Sequence, residues 1–160
     1  MVFIRKIKVL VVDDMVVVRK IVTDTLGLDP EIEVIATAAN EEIALQKIPQ
    51  LKPDILSLDI EMPEMDGIET LTEARKLYKE LPIIMFNTLT ERGGSKTLEA
   101  LALGATDYVT KPANVDSISI AKQRIRGELI PKIKMFCAGK AGTETPVEAI
   151  PKPIEKTAAL

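Results

Sequence analysis

Short apolar runs alternate with longer segments of helical period five times along this chain. The runs are IKVLVV (7–12), EVIATA (33–38), DILSL (54–58), PIIMFN (82–87) and TDYVT (106–110). They are rich in Val and Ile and nearly continuous, the pattern of strands buried on both faces. Between them lie helices. In 15–27, Met15, Val18, Val22 and Leu26 share one stripe with Ile21 beside it, and Gly27 stands where a C-cap belongs. Asn40 predicts an N-cap ahead of Glu41 and Glu42, acids well placed at the positive end of a helix dipole. Asp66 with Glu69 reads as a capping box opening a helix to about Tyr78. A fourth helix spans 95–103 on Leu98, Leu101 and Ala102 and ends at Gly104. A fifth begins near Val115, with Ile118, Ala121, Ile125 and Leu129 in register, and Pro131 should kink or break it.

Alternation of this kind gives an α/β domain, a parallel sheet with helices on both faces joined by right-handed crossovers. Ligand sites in such sheets lie at the carboxyl ends of the strands, at the switch point in strand order. That rule directs attention to Asp13 and Asp14 after the first run and Asp59 after the third. It adds Asn87 and Thr88 after the fourth and Lys111 after the fifth. From Ala138 onward Gly, Pro, Thr and alternating small charges replace the apolar period, so 1–137 is expected to be one domain and 138–160 a flexible linker or tail.

Composition narrows the chemistry mainly by what is missing. No histidine occurs among the 160 residues, which excludes Ser-His-Asp or Cys-His catalysis and any His-ligated metal within this chain. With no Trp, two Tyr and three Phe, stacking platforms for bases or flavins are scarce. A net charge of −3 without a basic cluster argues against nucleic acid or anionic lipid as partner. The start of the chain has too short an apolar stretch for a signal peptide or a membrane span, and a single cysteine, Cys137, fits a reducing compartment. The expectation is cytoplasmic.

Three carboxylates converging on one sheet edge repel one another unless a cation sits among them. An oxygen-only site with few protein ligands suits Mg2+, which keeps several waters and leaves room for phosphate oxygens. Asp59, at its strand end, can act as a nucleophile toward a phosphoryl group and form an aspartyl phosphate. The transfer needs little beyond positioning and charge neutralisation, for which Lys111 is the candidate lysine. Pro112 behind it restricts the backbone at that strand end.

The pieces VLVVDD, LSLDIEMPEMDG and DYVTKPA, in this order, resemble the receiver domain of two-component response regulators over roughly residues 7–137. The resemblance implies a flavodoxin-like (βα)5 doubly wound five-stranded parallel sheet. It implies Mg2+ held by Asp13 or Asp14, Asp59 and the main-chain carbonyl of Glu61, and phosphotransfer from a partner histidine kinase. It also implies that Tyr108 is the aromatic whose rotamer follows phosphorylation. The stretches FNTLTERGGSKTLEALALGATDYVTKPA and RIRGELIPKIK are similar to the regulatory domain of the chemotaxis protein-glutamate methylesterase, where a linker joins the receiver to an esterase domain. Without histidine this chain cannot hold that esterase's triad, so it is expected to be a regulatory unit and not an enzyme.

Two positions depart from the pattern. Receivers usually carry Ser or Thr where this chain has Asn87, with Thr88 next, and Met15 stands where this branch more often has a small residue. An Asn amide can still donate to a phosphoryl group, while the coupling to Tyr108 is open. The alternatives are a stand-alone receiver or a docking module with weakened switching, and, from another class, a metal-dependent phosphatase. The Asp-x-Asp of one large phosphatase class does not match Asp13-Asp14, and two acids would repel the phosphate of a flavin. Glu61, Glu64 and Asp66 otherwise read as a solvated acidic loop, with Asp66 mainly a helix cap, and Met62 and Met65 as cover for the rim of the site. GGSKT (93–97) lacks Walker spacing and reads as the start of a helix. The face around Leu98 to Tyr108 is the expected output surface.

Overall fold

The computed structural model describes residues 3–62, 65–88, 91–111, 118–139 and 142–144. Its strands are β1 (Phe3–Arg5), β2 (Ile7–Val12), β3 (Ile32–Ala38), β4 (Ile55–Asp59), β5 (Glu61–Met62), β6 (Met65–Asp66), β7 (Ile83–Thr88), β8 (Asp107–Lys111) and β9 (Gly142–Glu144). The helices are α1 (Val16–Gly27), α2 (Glu41–Leu51), α3 (Gly67–Leu77), α4 (Glu91–Ala102), α5 (Ile118–Arg124) and α6 (Ile130–Phe136). A π-helical turn, Ile125–Leu129, joins the last two.

All five apolar runs become strands of one parallel sheet in the order β3-β2-β4-β7-β8. The chain leaves β2 toward β3 and then continues on its other side through β4, so the switch point lies between β2 and β4. This is the flavodoxin-like arrangement expected from the sequence. Side-chain parity divides the core in two. Along β2, Leu10 and Val12 join Leu56, Leu58, Ile83 and Met85 beneath α2, α3 and α4. Ile7, Val9 and Val11 face the other way, onto Val22 and Leu26 of α1 and Leu129 and Ile133 at the end of the chain's last helical stretch.

Asn40 caps α2 as expected, its Oδ1 accepting from the Ile43 N–H at 2.9 Å. Several local expectations are corrected. Gly27 is the last residue of α1, and the cap is Leu28, in right-handed conformation with its N–H on the Thr25 carbonyl. A final turn tightened in this way needs no left-handed glycine. Met15 is the N-cap of α1 and is exposed, so the buried stripe there is Val18, Val22 and Leu26. Helix α4 starts at Glu91, ahead of the expected 95, and takes in GGSKT. It buries Thr97 and Ala100, while Leu98 stays 70% exposed. Packing of that small-residue face against the sheet outweighs the poor helix propensity of Gly93 and Gly94.

Pro131 does not end the last helix. The π turn shifts the hydrogen-bond register just before it, so that Pro131 falls in the first turn of α6, where its missing N–H leaves no gap. Gly104 does end the α4 segment, with φ at +116°. Within the stretch assigned to a linker, Gly142–Glu144 form a strand antiparallel to Phe3–Arg5.

Candidate metal centre

The register of the sheet brings the acidic residues together. Val12 is paired with Leu58, so Asp13 and Asp59 stand level at the ends of adjacent strands, on either side of the switch point. Asp13, Asp14 and Asp59 each present a carboxylate oxygen, and these oxygens lie within 4.8 Å of one another. Asp13 and Asp59 are each only 2% exposed, and Asp14 is half-buried. At an effective dielectric of about 20, two such charges repel by about 3 kcal/mol. Burying three of them together is tolerated when a cation is shared among them.

The hydrogen bonding leaves room for that cation. Asp13 Oδ1 accepts from the Met15 N–H at 2.9 Å, and the Asp13 N–H donates to the Ala38 carbonyl at 3.0 Å. Asp14 Oδ1 is buried and accepts no hydrogen bond. A buried carboxylate oxygen without a donor, beside two further acids, fits a hard divalent cation held by oxygen ligands.

Strand β4 is closed off by a tight passage into α3. The Gly67 N–H donates to the Ile60 carbonyl at 2.9 Å. A Cβ at Gly67 would lie 2.2 Å from the Asp59 main-chain oxygen and 2.7 Å from Ile60 Cα. The two-strand ribbon of β5 and β6, with Glu61 opposite Asp66, makes the intervening turn. Side chains of Glu61, Met62, Met65 and Asp66 lie outside the described part, as does residue 64, so the capping role expected of Asp66 lies there too.

Backbone register places the remaining candidates on the same sheet edge. Asp59 pairs with Phe86, Asn87 with Thr110, and Thr88 with Lys111. The side chains of Asn87, Thr88 and Lys111 lie outside the described part, and so does Pro112. Tyr108 sits apart, on the edge strand, 40% exposed. Its carbonyl accepts from Lys132 Nζ at 2.8 Å, and that ammonium lies 5.4 Å from the ring centroid and 3.2 Å from Asp107 Oδ2. Leu98, Leu103 and Tyr108 are all exposed on the expected output face.

Two residues that shape the site have no role in the sequence reading. Gly67 has a visible signal, a glycine at the mouth of the helix that follows the Asp59 strand. Arg19, whose Nη1 donates to the Asp13 carbonyl at 2.7 Å, has none, because on a helical wheel it is simply a polar residue off the buried stripe.

This sheet order, with three acids at its switch point, defines a doubly wound α/β domain with a candidate cation site. Residues 9–122 match the family model for the response regulator receiver domain, and the chain belongs to that family. It is 54% identical over 140 residues to a protein-glutamate methylesterase/protein-glutamine glutaminase of Nocardioides sp., covering 88% of this chain and 38% of that protein. A namesake from Trichodesmium erythraeum is 53% identical over 135 residues, covering 84% of this chain and 38% of the relative. The crystal structure of the response regulator domain of Thermotoga maritima CheB superposes with a TM-score of 0.71 at 40% identity, covering 82% of this chain and 96% of that one. The chain is thus a receiver domain similar to the regulatory part of these methylesterases, and spans well under half of their length. Among the described residues no helix is long and apolar enough to cross a membrane.

Proposed function

We propose that this receiver takes a phosphoryl group onto Asp59 from a histidine kinase of chemotaxis type and thereby controls a methylesterase output domain in a longer protein. The observation that carries the reading is the trio Asp13, Asp14 and Asp59, with oxygens within 4.8 Å and one buried Asp14 oxygen left without a donor. In the transfer, a carboxylate oxygen of Asp59 attacks the phosphorus of a phosphohistidine. The P–N bond breaks, and the leaving imidazole takes up a proton from solvent.

Asp13, Asp14, Asp59 and the Glu61 carbonyl would hold Mg2+. Bound there, Mg2+ would neutralise the carboxylates and the charge growing on the phosphoryl oxygens. Lys111, Asn87 and Thr88 follow on the same edge and are assigned to the phosphoryl oxygens, with Tyr108 as the residue that reads the change. Residues 1–137 form the regulatory domain in this reading, and 138–160 lead toward the output domain. The setting is cytoplasmic, and neither nucleic acid nor membrane is a partner.

The test is treatment with Mg2+ and a small acyl phosphate, followed by intact mass measurement of the wild type and Asp59→Asn. A single phosphoryl adduct on the wild type alone supports the assignment. Persistent labelling of Asp59→Asn overturns it.

A further inference from the structure

We propose that Arg19 is a positioning residue for the acidic centre: through its hydrogen bond to the Asp13 carbonyl it sets the peptide that aims Asp13 and Asp14 at the cation. The inference rests on the reading of this cluster as a Mg2+ site. Asp13 is the first residue past β2, where the sheet ladder stops dictating the backbone. It is held at its N–H by Ala38, at its carboxylate by the Met15 N–H and at its carbonyl by Arg19 Nη1 at 2.7 Å. The Asp13 carbonyl and the Asp14 N–H belong to one peptide plane, so fixing that carbonyl fixes the direction in which Asp14 leaves it.

The need for such a fastener can be read from α1. Its N-cap, Met15, supplies no side-chain hydrogen bond, and no acid lies in the first turn. The usual local devices that fix how a chain enters a helix are missing. Arg19 reaches back across this turn instead. Its own N–H donates to the Met15 carbonyl at 2.9 Å while its guanidinium holds Asp13, closing Asp13 to Arg19 into a ring. A charged donor to a carbonyl makes the stronger kind of hydrogen bond.

A cationic guanidinium near a cation site also repels the ion. The two roles predict opposite signs. If positioning dominates, removing Arg19 weakens metal binding; if repulsion dominates, removal strengthens it. Fixing a ligand-bearing peptide is the stronger effect, because supporting groups of this kind alter metal affinity by about 10–100-fold, whereas the charge of the half-buried guanidinium is spread over three nitrogens, one of them already bound to the Asp13 carbonyl.

The experiment is a Mg2+ titration of the full chain, followed by amide NMR, for wild type, Arg19→Ala and Arg19→Lys. The Met15 amide, bonded to the Asp13 carboxylate, is the local reporter. Arg19→Ala is expected to weaken Mg2+ by about tenfold and to move the Met15 and Asp14 amides without metal, leaving amides of the distant α3 in place. Arg19→Lys, which keeps one donor, should recover most of the affinity and of the Met15 shift.

Unchanged or tighter Mg2+ binding by Arg19→Ala overturns the inference. So does an Arg19→Lys variant as weak as the alanine one, with shifts spread over the whole domain. If Arg19→Ala does not fold, Arg19→Met, which keeps the aliphatic stem and loses the donor, is judged by the same criteria against Arg19→Lys. A wild type without any Mg2+ response at Asp13, Asp14 or Asp59 defeats the metal reading itself. A normal wild-type response with an indifferent Arg19→Ala defeats only the role of Arg19.

Discussion

The Cα of Gly67 stands so close to the main-chain oxygen of Asp59 that a methyl group on it would sit 2.2 Å from that oxygen. The neighbours that would have to move are backbone atoms, not the tips of flexible side chains. Gly67→Ala is therefore expected to lower stability by about 3 kcal/mol and to displace the Asp59 carbonyl. Urea unfolding measures the first effect. The second should appear as weaker Mg2+ binding by whatever fraction remains folded, and a variant of wild-type stability would contradict the geometry.

Repulsion among Asp13, Asp14 and Asp59 predicts a reversal of stability order with metal. In a chelator, Asp14→Asn should be more stable than wild type by about 1–3 kcal/mol, since two of the three close charge pairs are lost. Saturating Mg2+ should reverse the order, because a ligand at 100 times its Kd adds about 2.7 kcal/mol to the form that binds it. Thermal melts of both proteins with and without Mg2+ make the comparison. A strongly destabilised Asp14→Asn in chelator would refute the electrostatic account.

Away from the site, burial pushes the Glu41 carboxyl above its usual value of 4.5, and the hydrogen bond with Glu69 and the charges of Glu69 and Glu73 push it the same way. An acid raised on folding contributes stability that is present below its unfolded pKa and is lost as pH rises through the folded one. Glu41→Gln should flatten the stability profile just above pH 4.5, where wild type declines. The gain at neutral pH should be no more than about 0.5 kcal/mol, since the charge is also favoured at the start of α2. Urea midpoints across that window are the readout, and an unchanged slope would show that the three acids do not interact.

Arg75 ties the end of α3 to the turn behind α4. Its Nη1 donates to the carbonyls of Tyr78, Lys79 and Leu81, and its Nε and Nη2 donate to Gly104. Arg75→Ala should cost about 2–3 kcal/mol. Arg75→Lys should restore less than half of that, because one ammonium cannot serve both groups of carbonyls. Chemical denaturation of the pair decides, and full rescue by lysine would mean that charge, not the forked geometry, is what matters.

The legible features were those whose cause is local in the chain. Buried strands show as Val- and Ile-rich runs, and the acids at their ends then fall on one edge by topology alone, which is why the gathering of Asp13, Asp14 and Asp59 is legible in the sequence. The Asn40 cap was readable for the same reason. What escaped depends on distant approach. Gly67 matters because α3 enters against the Asp59 backbone, and Arg19 because its side chain folds back over a helix start. Leu98, placed on the expected output face, is exposed, while the buried face of α4 is taken by the smaller Thr97 and Ala100, which the apolar spacing did not single out. Pro131 signals a kink or a break, and a propensity argument does not foresee the form it takes, a π turn that moves the register ahead of it so that the helix continues.

Strand β9 runs antiparallel to β1, with Glu144 directly opposite Phe3. A two-residue turn is the natural connection between such partners. Two added turn residues between 144 and 3 would therefore give a ring-closed chain, with new ends opened in an exposed connection such as that near Lys52, and the acidic centre at the far ends of the strands would keep every one of its supports.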